Sequence, residues 1–415
     1  MSSIVVSNAA SLIALDSSGP IRKEGFGAIE VANDASVAIE GGRFVAVGGA
    51  SGGDAELDAR GCTVVPGFVD PHTHLPFYGW RADEDAARLS GLRYETLHRE
   101  SGGIYRSARL LAEAGDETVL DFSEALARQM LAHGTTTFET KSGYGLSVGA
   151  ELRQLRLARS LAERVPQTVV GTCLAAHAVP DSKSAGEWVG DAATDLLPVV
   201  AHEGLARFVD VYVESIAFML EHAARLSETA GSLGMQMRIH ADQLEDGQGG
   251  AFAARWRFAS ADHLNHTSLD AAGDIASSDT VAVLLPGATF TLRQNKKPPA
   301  RNLIEEGAIV ALGTDLNPGT SPVSSMPFVI ALACRLYGLR PLEALAAATV
   351  NGAHLLGLGG EVGSIAVGRR ADLVVLDAPS FEHLTYRPDH NAILAVVCGG
   401  EIVHLAPRAR ERLRI

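Results

Sequence analysis

Between residues 65 and 360 the chain alternates short, β-branched apolar runs with Ala- and Leu-rich stretches of helical period. Strands that are buried on both faces form near-continuous apolar runs, whereas the helices that cover them show an amphipathic repeat. Eight alternations of strand and helix are typical of a (β/α)8 TIM barrel, and this is the α/β fold that we predict. The predicted strands are 62–69, 135–139, 168–174, 208–213, 235–240, 258–263, 281–285 and 309–312.

The two ends of the chain have a different pattern, with short extended runs separated by glycine turns. Residues 36–40 and 43–47 flank Gly41-Gly42, a dipeptide that favours a tight β-hairpin. The tail repeats this strand-turn-strand pattern. We therefore predict a small β-sandwich domain built from both chain ends, residues 1–64 and 361–415, beside a barrel at residues 65–360.

Composition and charge narrow the range of partners. The chain has 415 residues, of which 47% are hydrophobic and 20% charged, enough for a large core. Its net charge of −14 argues against a nucleic-acid or anionic-membrane partner and favours a small-molecule substrate. No targeting segment or membrane-length apolar run is evident, and the four cysteines are widely scattered. We expect a cytoplasmic protein with reduced cysteines, and enzymes of this size commonly form homodimers.

Two short segments carry the candidate chemistry. His72 and His74 follow the first apolar run, and side chains two apart on an extended strand point the same way. Two adjacent imidazoles can share one metal ion. Asp315 follows the last predicted strand and supplies an anionic ligand. Because barrel active sites form where the strands end, this pattern predicts a metal-dependent hydrolytic site.

Several motifs together resemble a known family. The segment 66–74, Pro-Gly-Phe-Val-Asp-Pro-His-Thr-His, the barrel between two halves of a β-domain, and the closing segment 368–377 resemble the amidohydrolase superfamily across essentially the whole chain. Within it, six further segments in order are similar to the imidazolonepropionase family. These are residues 139–146, 176–180, 240–244, 260–264, 284–287 and 314–319.

The resemblance implies a reaction and a cofactor. Members of that family open the ring of 4-imidazolone-5-propanoate with water and release N-formimino-L-glutamate, a step in histidine degradation. The implied ligands, His72, His74, His240 and Asp315, offer three imidazoles and one carboxylate, which suit zinc or iron(II) and leave room for water. The fourth strand carries no lysine that could be carboxylated to bridge two ions, so we expect one metal per chain, with Glu214 as a less favoured bridge.

The resemblance also implies which residues bind the substrate. A propanoate calls for a guanidinium, and Arg81 lies in the loop that leaves the first strand. Tyr144 and His177 match family positions that contact the substrate, and Gln243 should face the ring. Residues of the loop after the metal-binding aspartate could hold the ring or the acid through backbone N–H groups and a hydroxyl: Asn317, Gly319 and Thr320.

Proton transfer is assigned to His263 and Asp315, with Gln243 beside them. His263 ends the sixth strand and could orient the water or protonate the departing nitrogen. Some relatives have a glutamate in place of Gln243, and a glutamine cannot act as a general base. The sequence also departs from the family pattern at Trp80 and Ser101. These departures leave the metal ligands intact and concern only the details of substrate recognition.

Two other functions remain open at this point. One is an amidohydrolase-type deaminase or cyclic amidase that acts on a related heterocycle and uses the same ligands. Deaminases of this fold usually have a glutamate shortly after the fifth-strand histidine, where this chain has Gln243. The other is a catalytically inactive barrel that serves as an interaction module. Such a protein would be expected to lose ligands, and this chain keeps all four.

Overall fold

The computed structural model describes residues 3–17, 19–91 and 102–414, and its strands form three sheets. The strands are β1 (Ile4–Ala9), β2 (Ser11–Leu12), β3 (Ala35–Glu40), β4 (Arg43–Val47), β5 (Ala55–Asp58), β6 (Thr63–Pro66), β7 (Phe68–Asp70), β8 (Thr135–Lys141), β9 (Thr168–Ala176), β10 (Phe208–Val213), β11 (Gln236–Ala241), β12 (Ser260–His263), β13 (Val281–Leu284), β14 (Val310–Leu312), β15 (Leu373–Leu376), β16 (Ile393–Cys398), β17 (Glu401–Leu405) and β18 (Leu413–Arg414).

The central sheet is the predicted barrel. Its eight strands, β7 to β14, lie in sequence order and pair in parallel. All eight overlap the runs predicted from the sequence. Their residues are almost completely buried, because helices cover the outer face and side chains fill the interior. The register of β10, β11 and β12 aligns Tyr212 with His240 and His240 with Asp262, which sets these three side chains at one level.

Helices connect the barrel strands. None of the helices in the described part of the chain has the length and apolar character that crossing a bilayer requires. The α-helices are Ala82–Leu89, Gly103–Glu113, Asp116–Ala132, Val148–Arg164, Ala185–Asp191, Leu197–Glu203, Leu220–Ser232, Gly249–Trp256, Leu269–Ala276, Pro286–Thr291, Ala300–Glu306, Met326–Leu332, Pro341–Ala347, Val350–Leu355 and Glu382–Tyr386.

The first predicted strand, 62–69, was wrong as a single barrel strand. β6 pairs antiparallel with β15 in an outer sheet, and only β7 joins the barrel. Gly67 lies between them, where an added Cβ would come within 2.2 Å of the Thr136 hydroxyl oxygen. The chain thus changes sheets without a break in its apolar pattern, because both strands are buried. This explains why periodicity alone did not separate them.

Barrel closure brings the first and last strands together at the predicted metal ligands. Just beyond the ends of β7 and β14, the N–H of Asp315 donates to the carbonyl of His72 at 3.0 Å. The N–H of His74 donates in the same way to the carbonyl of Leu316 at 2.9 Å. These two hydrogen bonds fix the paired histidines beside the aspartate.

The two ends of the chain combine in two further five-stranded sheets. One has the order β18-β5-β1-β3-β4 and the other β17-β16-β15-β6-β2, so each contains strands from both ends. The predicted hairpin joins β3 and β4, and Gly41 and Gly42 both have the positive φ that its turn requires. Side chains of the two sheets share one apolar core, as expected of a sandwich. The boundaries at residues 64 and 361 remain predictions.

Candidate active site

Four imidazoles and one carboxylate meet at the carboxyl end of the barrel. Donor atoms of His72, His74 and His240 lie within 4.8 Å of one another, and so do those of His72, His263 and Asp315. His74 Nε2 is 3.1 Å and His72 Nε2 is 3.6 Å from Asp315 Oδ1. All five side chains are almost completely buried. The structure therefore brings the four predicted metal ligands and His263 into one cluster.

Strand ends place these residues, and two of them have an unusual backbone conformation. His240 is near the end of β11, and His263 is the last residue of β12. His263 has a φ of 77° and Asp315 a φ of 54°, in the left-handed region that residues other than glycine seldom adopt. Such conformations cost free energy and persist where the surrounding structure enforces them, commonly at functional sites.

Two carboxylates orient two of the imidazoles. His72 Nδ1 is 2.5 Å from Asp262 Oδ2, and His240 Nδ1 is 3.2 Å from Asp210 Oδ1. An ionised carboxylate only accepts hydrogen bonds, so each Nδ1 carries the proton and each Nε2 is an acceptor. Neither Nε2 atom has a hydrogen-bond partner among the residues that the structure describes. Buried acceptors of this kind, together with a carboxylate, are the donor set of a divalent metal ion, and the residues fit such an ion.

The electrostatics favour neutral imidazoles, which metal binding requires. Burial, with the charge of Lys141, holds the pKa of His72 well below its ordinary value. Burial, with neighbouring His240, does the same to the pKa of His74. Burial would raise the pKa of Asp210, but its contacts with His240 and Lys141 hold it well below its ordinary value. Asp210 is therefore ionised, as its role of acceptor requires.

The predicted substrate residues line one small cavity above this cluster. Six of the seven do so, and the seventh, Gly319, lies beneath Arg81. The sequence prediction missed Ile104 and Tyr212, which also line the cavity. The lining consists of His74, Arg81, Ile104, Tyr144, His177, Tyr212, His240, Gln243, His263, Asp315, Asn317 and Thr320.

Arg81 is buried at the cavity with few partners. It is 3% exposed, and its Nε and Nη1 atoms have no hydrogen-bond partner within the described ranges. Glu84 Oε2 lies 3.7 Å from Nε and also receives the backbone N–H of Gly103, the first residue of the helix that carries Ile104. A buried guanidinium with unused donors is suited to bind a carboxylate through two hydrogen bonds.

The loop after Asp315 is held mainly by Asn317. Its amide oxygen accepts the N–H of Gly319 at 2.9 Å and of Thr320 at 2.7 Å. Its amide nitrogen donates to the carbonyl of Asp315 at 2.7 Å and to the Thr320 hydroxyl at 2.9 Å. Asn317 therefore shapes the loop that ends beneath Arg81. Direct contact of Asn317, Gly319 and Thr320 with substrate remains a prediction.

Aromatic rings and Gln243 complete the cavity wall. The His177 ring stacks on His74 with a centroid distance of 5.1 Å, and Tyr144 lies 5.4 Å from His177. The N–H of Gln243 donates to Glu214 Oε1 at 2.6 Å. Glu214 thus braces the loop that carries Gln243. Burial raises the pKa of Glu214 to about 7.

Burial also sets the proton chemistry of His263, whose pKa it lowers to about 3. The His263 imidazole is therefore neutral near pH 7 and must accept a proton before it can donate one. Of the departures from the family pattern, Trp80 is 39% exposed, and Ser101 lies outside the described residues.

Charged residues inside the barrel strands are the largest group that the sequence prediction missed. Asp210 and Asp262 orient His240 and His72, two of the predicted metal ligands, and neither carboxylate was predicted as functional. The available signal was a charged residue within an otherwise apolar strand, which requires a buried partner. Glu139, Lys141 and Arg238 carry the same signal and are fully buried.

Comparison with known proteins identifies the family. The amidohydrolase family model matches residues 63–403. An imidazolonepropionase from Symbiobacterium thermophilum is 43% identical over 406 residues, which cover 95% of this chain and 96% of the relative. One from Rubrobacter xylanophilus is 42% identical over 396 residues, covering 93% and 95%.

Solved structures agree on the fold at much lower identity. A triazine hydrolase variant superposes with a TM-score of 0.73 at 16% identity, covering 98% of this chain and 95% of its own. A zinc-containing adenosine deaminase from Xanthomonas campestris has a TM-score of 0.69 at 20% identity, covering 97% and 93%. By its full-length match to these relatives, the chain belongs to the metal-dependent amidohydrolase family and, within it, to the imidazolonepropionases.

Proposed function

We propose that the enzyme hydrolyses the ring C–N bond of 4-imidazolone-5-propanoate and releases N-formimino-L-glutamate. The observation that carries this proposal is one buried cavity that Arg81 lines together with His74, His240 and Asp315 of the metal-ligand cluster. Two guanidinium nitrogens of Arg81 have no hydrogen-bond partner among the described residues. A substrate that fits must join a carboxylate to a hydrolysable polar ring. Imidazolone propanoate has both parts, and the imidazolonepropionase relatives act on it.

Arg81 anchors the substrate by its propanoate. Two parallel N–H···O bonds would pair Nη2 with either Nε or Nη1, the two nitrogens that have no hydrogen-bond partner among the described residues, and would fix the direction of the ring. Tyr144, His177 and Gln243 then line the path from Arg81 to the cluster and contact the ring. Asn317 holds the loop with Gly319 and Thr320 against the anchored acid.

We further propose that one divalent ion per chain, zinc or iron, is held by His72, His74, His240 and Asp315. When bound, such an ion polarises a carbonyl and lowers the pKa of water to near neutrality. The neutral imidazoles and the single carboxylate suit both metals, and occupancy depends on supply. Glu214 Oε1 accepts the backbone N–H groups of Gln243 and Leu244 at 2.6 and 3.0 Å, which supports a role in bracing the loop.

The reaction adds water across one C–N bond, and the protein must move two protons. The water oxygen joins the ring carbonyl carbon, the bond from this carbon to the ring nitrogen breaks, and the nitrogen gains a proton. Asp315 and His263 are the proton carriers within reach of the cluster. His263 is neutral near pH 7, so it first accepts the proton that the water loses and then donates it to the nitrogen. Gln243 hydrogen-bonds the ring and carries no proton.

The direct test uses substrate generated enzymatically in the cuvette. Metal-loaded protein should remove the ultraviolet absorbance of imidazolone propanoate and produce N-formimino-L-glutamate, identified by mass spectrometry. Stable absorbance with fully metal-loaded protein would overturn the assignment. Release of ammonia from a related aminated heterocycle would instead favour the deaminase alternative.

The metal proposal has its own test. Elemental analysis should give one zinc or iron per chain, and a chelator should abolish turnover reversibly. His240→Ala should lose both the metal and the activity, because it removes one of four ligands. Two tightly bound ions per chain, or full activity of the metal-free protein, would contradict it. The predicted homodimer and cytoplasmic location are tested by analytical ultracentrifugation and by cell fractionation.

A further inference from the structure

We propose that Lys141, Arg238 and Glu139 form a buried ionic chain that positions the metal ligands from below, and that Lys141 and Arg238 are positioning residues for the metal site. This inference rests on the proposed metal site and adds residues that contact neither substrate nor metal. All three side chains are fully buried inside the barrel. Charges in such a place are costly unless they are paired, so their arrangement requires an explanation.

One arm of the ionic chain leads to His240. Lys141 Nζ lies 2.8 Å from Asp210 Oδ2, and Asp210 receives the Nδ1 proton of His240. The ammonium fixes the position of the carboxylate and compensates its charge. The carboxylate in turn fixes the ring orientation and tautomer of His240.

The other arm leads to His72. Arg238 Nη2 donates to Asp262 Oδ2 at 2.7 Å, and the same oxygen accepts from His72 Nδ1. Arg238 Nε donates to the Ser260 hydroxyl at 2.9 Å, so the guanidinium is held at two points. This arm therefore orients the Nε2 atom of His72 toward the cluster. The first arm does the same for the Nε2 atom of His240.

Glu139 joins the two arms. Its Oε1 atom lies 2.7 Å from Lys141 Nζ and 3.1 Å from Arg238 Nη1. Its other oxygen accepts the backbone N–H of Thr73 at 3.2 Å, and its carbonyl accepts the Thr73 hydroxyl at 2.7 Å. Thr73 lies between the paired histidines. The ionic chain therefore reaches His72, His74 and His240, so a change at one arm is transmitted to three ligands at the ends of two strands, β7 and β11.

The charges of this group support the same conclusion. Glu139, Asp210 and Asp262 carry three negative charges against the two positive charges of Lys141 and Arg238. Counted together with Asp315, these ionised side chains carry two unbalanced negative charges, which match the charge of one divalent cation.

The direction in which zinc affinity changes in Lys141→Met distinguishes a positioning role of Lys141 from a purely electrostatic one. Lys141→Met removes a positive charge near the cation, so electrostatic repulsion alone predicts tighter metal binding. If Lys141 positions Asp210 and His240, binding should instead weaken by about 10- to 100-fold, the usual effect of losing a residue that orients a ligand. The measurement is the zinc dissociation constant by competition with a chromophoric chelator. Lys141→Arg, which keeps the charge and the donors, should recover most of the affinity.

Arg238→Met tests the other arm and has a matched control. The guanidinium carbons of Arg238 and Arg207 lie 5.6 and 5.9 Å from the centroid of the same Phe208 ring, but Arg207 is exposed and outside the ionic chain. Arg238→Met should weaken zinc binding by a similar factor, whereas Arg207→Met should leave it unchanged. Both variants lose one positive charge and one cation–π contact, so the difference reports the connection to Asp262.

Several results would overturn the proposal. Unchanged or tighter zinc binding in folded Lys141→Met and Arg238→Met proteins would reduce both residues to structural charges. If Lys141→Met does not fold, as judged by circular dichroism, Lys141→Gln provides the same test with an uncharged side chain that keeps a hydrogen-bond donor. The proposal would also be contradicted if Lys141→Met, Lys141→Gln and Arg238→Met all failed to fold, because a positioning role requires the fold to form without the residue. Absence of zinc binding by the native protein would instead remove the metal site itself.

Discussion

The two sides of the candidate active site differ in how their polar side chains are held. The metal side consists of His72, His74, His240, His263 and Asp315, and the substrate side of Arg81, Tyr144, His177, Gln243, Asn317 and Thr320. On the metal side, buried carboxylates already hold the imidazoles of His72 and His240. On the substrate side, the buried guanidinium of Arg81 has two nitrogens without a hydrogen-bond partner in the described part of the chain.

This difference indicates how the site divides its work. A metal site must be rigid, because ligand orientation determines affinity, and the barrel supplies rigidity through charges fixed inside its strands. A substrate side gains affinity from donors that are satisfied only when the substrate binds. Substitutions on the two sides should therefore be separable: one set changes metal content or the chemical step, and the other changes the Michaelis constant.

The largest separable effect is expected at His263. His263→Asn removes the imidazole that accepts and returns a proton, so turnover should fall by about 10²- to 10⁴-fold with the metal retained. Gln243→Ala is the comparison, since it removes a hydrogen bond to the ring and should mainly raise the Michaelis constant. Steady-state kinetics and metal analysis of both variants provide the test. Normal turnover in the His263 variant, with loss of the chemical step in the Gln243 variant, would leave Asp315 as the sole proton carrier.

The next effect is expected at Arg81. Arg81→Met removes one partner of the proposed buried charge pair and should weaken substrate binding by about 2–4 kcal/mol, or roughly 30- to 700-fold. Metal content should not change, because Arg81 touches none of the ligands in the arrangement described above. Arg88→Met is a suitable control, as Arg88 lies on the same helix but donates to Asp85 and to the carbonyl of Gly319. Unaltered kinetics for Arg81→Met would make it a structural loop residue.

Much of this arrangement was predictable from the sequence. Eight apolar runs overlapped the eight barrel strands, because parallel strands buried on both faces need such runs. The predicted metal ligands, which the structure brings into one cluster, follow strand ends in recognisable motifs. Arg81, predicted from its position in the loop after the first strand, lines the cavity beside them.

The remainder depended on contacts between distant parts of the chain. Asp210 on β10 pairs with Lys141 on β8, and Asp262 on β12 pairs with Arg238 on β11. No local sequence pattern reveals either of these pairs. The division of the first predicted strand at Gly67 also depended on distant partners, because β6 pairs with β15 and β7 pairs with β8. In each case the residue type is visible in the sequence, but the partner that determines its role is visible only in the three-dimensional structure.

A smaller effect is expected from Gly319→Ala. The structure leaves no space there, because an added Cβ would come within 1.7 Å of Arg81 Nη2. Arg81 must therefore shift, and we expect roughly a tenfold rise in the Michaelis constant, about 1.4 kcal/mol, with unchanged metal content. Gly231→Ala is the matched control, as an added Cβ there meets nothing within 4 Å. Equal kinetics for the two variants would show that the position of Arg81 is not critical.

The smallest effect concerns Glu214, which lies between the two sides because its Oε1 atom holds the loop that follows His240. Burial raises the pKa of Glu214 from 4.5 to about 7, although the N–H groups of Leu244 and Gln243 oppose the shift. The folded protein therefore favours the protonated carboxyl. The stability that this group contributes is present below pH 4.5, is lost as the pH rises to about 7, and changes no further above it.

Glu214→Gln should remove this pH dependence while keeping the loop in place. The amide oxygen can still accept the N–H groups of Gln243 and Leu244, and an amide does not titrate between pH 4 and 9. The free energy of unfolding of the variant relative to the native protein should therefore rise by about 1–3 kcal/mol between pH 5 and pH 8. Urea unfolding with equal metal loading measures it. Glu187→Gln, at an exposed carboxylate whose pKa is lowered by the backbone and hydroxyl of Ser184, should show no such rise. Parallel pH profiles for the native protein and Glu214→Gln would mean that Glu214 is ionised throughout and braces the loop as an anion.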